Sequence, residues 1–321
     1  MSERVAVLGP GRIGRQIALA FALGGAPVVL VDLKHRSVAD SERVLADARA
    51  EIARDARLMV EEAVITAQDE AAALGRIDER VGLGDLRDCG FVQEALPESV
   101  ELKREIFKQL AGRIGADAVV ASTSSTISPS HLADAVDRPE RFLVAHWLNP
   151  AHIIPLVEVV PGPRTAPATV QATLARLERL GKVPVRCNDS PGFIGPRIQV
   201  LLMNEAVRLV EEGVATPEDV DKAFRAGMGF RYASIGIFEF IDWGGVDILY
   251  RASRYMTEAA GERFKPARLV EQKMAYNELG PKTGRGFFDY SGDRRETFET
   301  QKIRALLRRL KRERDVAGEQ A

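Results

Sequence analysis

Short runs of β-branched and aliphatic residues recur through the first half of the chain, at 5–8, 28–31, 119–120, 142–144 and 156–160, and longer stretches with helical spacing separate them. That alternation predicts an α/β fold, a doubly wound and mostly parallel sheet with helices on both faces. Residues 37–75 are charged and rich in alanine, with Val44, Leu45, Ala48, Ile52 and Ala53 at helical spacing. They predict two helices projecting as a hairpin.

The pattern changes after Asn188-Asp189-Ser190-Pro191-Gly192, a cluster of turn formers that closes a short strand near 183–185. We place the domain boundary there, giving residues 1–188 and 189–321. Beyond it, 198–212 carries apolar residues at helical spacing, and Thr216-Pro217-Glu218-Asp219 reads as an N-cap with proline in the first turn of a helix continuing through 220–224. The second domain is expected to be all α. The basic tail, 302–314, has Ile303, Leu306, Leu307 and Leu310 on one side and reads as a terminal helix with a solvated charged face.

A chain of 321 residues is long enough for two domains. Hydrophobic residues at 45%, charged residues at 28% and a net charge of −1 give no reason to expect a nucleic-acid or membrane partner. Met1-Ser2-Glu3-Arg4 leads directly into an apolar strand run and leaves no room for a signal peptide, so a cytoplasmic protein is expected. Cys89 and Cys187 are far apart and lack metal-ligand spacing; they are expected to pack as thiols, with no metal site.

The motif Gly9-Pro10-Gly11-Arg12-Ile13-Gly14 follows a strand and opens a helical pattern. In that context Gly9 permits a tight turn, Gly11 lets backbone approach a pyrophosphate, and Gly14 allows close helix–strand packing, while the helix N-terminus attracts phosphate. Asp32 ends the next strand, 18 residues after Gly14, where its carboxylate can accept hydrogen bonds from a ribose. This pairing predicts a Rossmann domain binding NAD; Asp32 disfavours a 2′-phosphate despite Lys34 and Arg36 nearby.

Further on, His146 stands at a strand end and Glu158 lies inside the following strand. A histidine can take a hydroxyl proton during hydride transfer, and a buried glutamate on its other ring nitrogen would fix the tautomer. Alone, His146 and His152 would more often be structural.

His146, Asn149-Pro150 after two intervening residues and Glu158 twelve residues after the histidine together resemble the signature of the L-3-hydroxyacyl-CoA dehydrogenase family. The likeness continues through Ser122-Thr123-Ser124-Ser125-Thr126, Glu94-Ala95-Leu96-Pro97-Glu98 with Lys103, Ser190-Pro191-Gly192-Phe193, and Lys282-Thr283-Gly284-Arg285-Gly286-Phe287-Phe288. The resemblance implies His146 as acid/base, Glu158 orienting it, Ser125 at the substrate oxygen, and Asn149 at the nicotinamide or histidine region. It implies that Ala95, Leu96, Glu98 and Lys103 belong to the nicotinamide-ribose segment, alongside Ser125 and Asn149. It also implies a homodimer acting on a small 3-hydroxyacyl compound such as 3-hydroxybutyryl-CoA.

Three departures leave the substrate open. Pro196 replaces a family asparagine that contacts the reacting oxygen, and no lysine occurs between Lys34 and Lys103, leaving Arg54 and Arg57 for coenzyme A phosphates. Around Gly229-Phe230-Arg231-Tyr232 the chain is similar to the gulonate and carnitine dehydrogenase branch, where Arg231 binds a free carboxylate, although a structural ion pair is an equal reading. Trp147 and Trp243 read as core residues. A non-catalytic NAD-binding protein and a lysine-dependent dehydrogenase using Lys222 are the rival readings.

Overall fold

The computed structural model describes residues 3–319; Met1 and Ser2, on which part of the leader expectation falls, lie outside them. The chain forms two compact units, Met1–Met203 and Asn204–Ala321.

The first unit holds eight strands, β1 (Arg4–Leu8), β2 (Val28–Asp32), β3 (Ile77–Val81), β4 (Cys89–Glu94), β5 (Val119–Ser122), β6 (Phe142–Trp147), β7 (Leu156–Pro161) and β8 (Val183–Arg186), in the order β3-β2-β1-β4-β5-β6-β7-β8. All pairs are parallel except β6–β7, which is antiparallel. Among the described residues, six α-helices lie wholly within this unit: α1 (Arg12–Leu23), α2 (Val38–Glu61), α3 (Ala67–Leu74), α4 (Val100–Gln109), α5 (Pro129–Leu132) and α6 (Pro167–Arg179). Two large apolar cores result among the described residues, one holding Val5, Phe21, Leu30 and Leu143, the other Leu8, Val92, Phe107 and Phe142, with a small third cluster of Val144, Val160 and Phe193. This is the doubly wound fold expected, with strand order reversing beside β1, where such sheets open a crevice.

Two strands escaped the pattern. In β3 (Ile-Asp-Glu-Arg-Val) only Ile77 is buried, as befits an edge strand, and β4 interrupts its apolar residues with Gly90, Gln93 and Glu94. Residues 37–75 do form two helices, but not a free-standing hairpin: Leu45, Ala48, Ile52 and Ala56 of α2 are buried in the first core with Phe21 of α1. The apolar face of α2 is long enough to cover the sheet, and burying it there removes it from water.

The second unit is helical, beginning within α7 (Gly195–Glu211) and continuing through α8 (Pro217–Ala223), α9 (Phe230–Tyr232), α10 (Ile237–Gly244), α11 (Val246–Ala260), α12 (Arg268–Ala275) and α13 (Arg294–Glu319). Thr216 caps α8 through its side chain. Buried Asp242 accepts the N–H groups of Phe287 and Phe288, both at 2.9 Å, and the Tyr290 hydroxyl at 3.0 Å, so the 282–288 motif is anchored as a structural turn. The division into compact units falls inside α7, whose first turn is tied to β7 through Glu158.

No described helix is long and apolar enough to cross a membrane.

Candidate active site

The chemistry-bearing residues gather at the carboxyl edge of the sheet because each sits at, or just beyond, the end of a neighbouring parallel strand: Asp32 on β2, Gly9 after β1, Ala95 after β4, Ser125 after β5 and His146 on β6.

Gly9 adopts φ +107°, which favours glycine, and a Cβ there would meet the Ala95 carbonyl oxygen at 2.8 Å. A Cβ on Gly14 would lie 1.9 Å from the Gly9 carbonyl oxygen, so α1 can pack this closely only with glycine. Around Gly11 nothing lies within 4 Å of an added Cβ, and this N-cap has no side-chain hydrogen bond to the helix. Exposed Arg12 and half-buried Ile13 begin α1. The first N–H groups of α1 are thus left to an outside acceptor, which is what a pyrophosphate requires.

Asp32 is 2% exposed. Its Oδ1 accepts from the Lys34 N–H at 3.4 Å and from Arg36 at 3.3 Å, while its Oδ2 is buried without a partner among the described residues. A buried carboxylate oxygen with nothing to accept is costly, and ribose hydroxyls would satisfy it. Asp32, Lys34, Arg36, Leu83 and Ile106 line a cavity of 270 Å³. Together, the open glycine edge and the orphaned oxygen fit a dinucleotide.

Glu94 and Glu98 organise the neighbouring loops. Buried Glu94 bonds Lys103 Nζ at 2.6 Å, the Ser122 hydroxyl at 2.5 Å and the Leu96 N–H at 2.6 Å. Lys103 is 1% exposed and also donates to the Leu96 carbonyl, so its ammonium is consumed in shaping the 94–98 turn. Glu98 Oε1 accepts from the Ser124 hydroxyl (2.5 Å), the Ser125 N–H (3.1 Å), and the Thr126 N–H and hydroxyl (both 2.9 Å). Burial pushes the Glu98 carboxyl up, but these bonds and Lys103 outweigh it and hold its pKa at about 2. Fixed from behind by its N–H, Ser125 keeps its hydroxyl free of hydrogen bonds among the described residues.

His146 and Glu158 are register partners on β6 and β7. The His146 ring, 7% exposed, places Nδ1 2.7 Å from Glu158 Oε2, and Phe193 lies against it at 5.8 Å between centroids. Glu158 Oε1 accepts the N–H groups of Ile194 and Gly195, both at 2.8 Å. Gly192 (φ +71°) and Phe193 (φ +44°) both take left-handed backbone, and this strained turn aims the two N–H groups at the carboxylate. Burial raises the Glu158 carboxyl, yet the bonds from His146, Gly195 and Ile194 leave it net below its ordinary range. The carboxylate is therefore ionised, and as an acceptor it requires the proton on Nδ1, leaving Nε2 as the ring's basic nitrogen.

Asn149 is exposed, one residue before a cis Pro150. Pro196 lies in the first turn of α7 and offers no side-chain donor. Trp147 is core: its Nε1 donates to Gln93 Oε1 at 3.2 Å. Neither Gln93 nor Gln16 nor Lys182, all buried beside this site, was singled out by sequence pattern, since a lone polar residue in an apolar segment carries no periodic signal.

Two family sequence models match the chain, described as "3-hydroxyacyl-CoA dehydrogenase, NAD binding domain" over residues 4–190 and "3-hydroxyacyl-CoA dehydrogenase, C-terminal domain" over residues 192–290. The chain belongs to the 3-hydroxyacyl-CoA dehydrogenase family. It is 36% identical over 291 residues to the 3-hydroxybutyryl-CoA dehydrogenase of Bradyrhizobium diazoefficiens, covering 90% of this chain and 96% of that one. It is 33% identical over 312 residues to the 5-formyl-3-hydroxy-2-methylpyridine 4-carboxylate 5-dehydrogenase of Mesorhizobium japonicum, covering 96% and 97%. The crystal structure of a 3-hydroxyacyl-CoA dehydrogenase from Archaeoglobus fulgidus superposes with a TM-score of 0.75 at 31% identity, covering 96% and 99%. This member of the family is accordingly an NAD-dependent dehydrogenase acting on a CH–OH group.

The three arginines expected at the substrate differ in their surroundings. Exposed Arg54 pairs with Glu51 and Asp55, and Arg57 with Glu70, so both are engaged in surface ion pairs of small worth. Arg231 stacks 4.1 Å from the Phe240 ring centroid and has no carboxylate partner among the described residues. Lys222 is exposed in the last turn of α8.

Proposed function

We propose that the chain interconverts the 3-hydroxyl and 3-keto forms of a small 3-hydroxyacyl thioester, of the 3-hydroxybutyryl-CoA kind. The observation that carries this reading is the buried His146–Glu158 pair, whose tautomer leaves Nε2 basic at the edge where the glycine turn and Asp32 are built for a dinucleotide. His146 Nε2 takes the hydroxyl proton and returns it to the oxygen in reverse. Glu158 holds Nδ1–H and faces the imidazolium charge as it forms, while the Ser125 hydroxyl binds the substrate oxygen. NAD, held by Gly9, Gly11, Arg12, Ile13, Gly14 and Asp32 and bordered by Ala95, Leu96 and Asn149, supplies the hydride acceptor. Glu98 and Lys103 serve it by fixing the two loops.

A second reading, a free hydroxy acid, is favoured by Arg231, because its guanidinium has no carboxylate partner among the described residues and can bind one bidentately. One relative is named for a pyridine carboxylate substrate.

The deciding experiment follows NADH absorbance with acetoacetyl-CoA, then NAD reduction with L-3-hydroxybutyrate, L-gulonate and L-carnitine. Thioester turnover with far higher efficiency supports the first reading. Turnover of free acids alone, abolished in Arg231→Met, replaces it with the second.

We also infer a homodimer formed by the helical unit, supported by its exposed Val207, Val214, Ile248, Tyr255 and Leu307. Light scattering that returns the mass of one chain at micromolar concentration would remove this. A cytoplasmic setting agrees with Cys89 and Cys187 being free thiols whose pKa values burial raises to about 12 and about 11.

A further inference from the structure

The connection from β6 to β7 carries Asn149, and its internal hydrogen bonds are few: the N–H groups of Ile153 and Ile154 donate to the Pro150 carbonyl. Two buried side chains from remote parts of the sequence hold this loop. Gln16, on α1 two residues after the glycine motif, accepts the Ala151 N–H at 2.9 Å. Lys182, immediately before β8, donates to the carbonyls of Ala151 at 2.7 Å, Ile154 at 2.9 Å and His152 at 3.2 Å. Each of the two side chains is 8% exposed.

The match is stoichiometric, since an ammonium has three N–H donors and three carbonyls of one loop receive them. Local sequence puts it there. After α6, Gly181 takes φ +73° and turns the chain so that the Lys182 N–H returns to the Leu177 carbonyl. The ammonium then lies 5.6 Å from the ring centroid of Trp147, the residue next to His146.

Lys182 forms no ion pair with a carboxylate among the described residues, and burial lowers its pKa to about 8. Burying a cation without a counter-charge costs free energy that an apolar side chain of equal length would not. What the cation provides in return is the conformation of the loop between His146 and Glu158.

We propose that Gln16 and Lys182 are positioning residues that clamp the 149–154 loop, so that Asn149 is held in one pose beside His146 and the glycine-motif helix is tied to the β6–β7 pair. This rests on the roles proposed above for His146 and Asn149.

The test uses the full-length chain with NADH and acetoacetyl-CoA. Lys182→Met keeps the stem and removes the donors. We expect kcat to fall roughly 10- to 100-fold, with KM for acetoacetyl-CoA and Kd for NADH within about threefold of wild type. The isotope effect with NADH deuterated at the transferred position should rise. Gln16→Leu, acting from α1, should shift kcat in the same direction. Hydrogen exchange reads the clamp without substrate: the amides of Ala151, Ile153 and Ile154 should exchange faster in both variants while those of β1 and β4 stay protected.

Folded variants with wild-type kcat and a protected loop overturn the clamp, as does an activity loss that only tracks the unfolded fraction. If Lys182→Met does not fold, an unchanged kcat in Gln16→Leu overturns it alone. Wild type inactive on acetoacetyl-CoA, with the loop still loosened in the variants, removes the substrate reading and leaves the clamp.

Discussion

His146 and Glu158 meet across the antiparallel β6–β7 pair, Nδ1 to Oε2 at 2.7 Å, with the second carboxylate oxygen closed off by two backbone N–H groups. Every acceptor position that matters on Glu158 is therefore engaged, and the imidazole is left with one working nitrogen.

His146→Gln keeps much of the side-chain volume and removes the proton acceptor. Turnover of acetoacetyl-CoA is expected to fall by about a thousandfold or more, in the upper range for a proton-transfer group, while NADH affinity stays within a few-fold. Stopped-flow absorbance and fluorescence titration measure the two. A fully active variant would sink the assignment.

Glu158→Gln is expected to be more damaging than its size suggests. The amide oxygen still accepts from Ile194 and Gly195, but the amide nitrogen donates to Nδ1 and moves the ring proton to Nε2, the wrong tautomer for a base. A loss of about 100-fold or more in kcat with KM little changed is expected. Ring-nitrogen NMR shifts of His146 report the tautomer directly.

Acid stability should register Glu98. Its carboxyl is held at about 2, below the ordinary 4.5, so the stability it contributes is complete above pH 4.5 and is lost as pH falls toward 2. With 36% of the side chain exposed, solvent screening reduces this to about 1–2 kcal/mol. Denaturant unfolding of wild type and Glu98→Gln should differ by that amount at pH 7 and converge near pH 2. A gap that is independent of pH would show that the carboxylate's charge is irrelevant.

Asp32→Ser removes the repulsion of a 2′-phosphate and releases Arg36 from its 3.3 Å pairing, with Lys34 alongside. NAD affinity is expected to drop roughly 10- to 100-fold from the lost hydrogen bonds to a charged group, and the NAD-over-NADP preference to narrow. Competitive titration with both nucleotides checks it. An unchanged preference would place the discrimination elsewhere.

Much of the fold was legible along the chain because its information is local. Apolar runs mark β1, β2, β5, β6 and β7, the glycine spacing marks the turn into α1, and Thr216-Pro217 marks the start of α8. The strands that escaped, β3 and β4, are those whose residues are partly polar, and they are strands through pairing with neighbours far away in sequence. The 37–75 segment shows the same limit: its helices could be read, but not that Leu45 and Ile52 would join the core that holds Phe21.

At the site, residue types and spacings named His146, Glu158 and Asp32, whereas the partners that give these side chains their chemistry come from elsewhere. The N–H groups on Glu158 come from a left-handed turn 36 and 37 residues onward, and the groups holding the 149–154 loop come from Gln16 and Lys182. A hydrogen bond depends on distance in space, and periodicity reports only distance along the chain. Element type is therefore written locally, and tautomer, loop pose and charge environment arise only when remote segments are folded together.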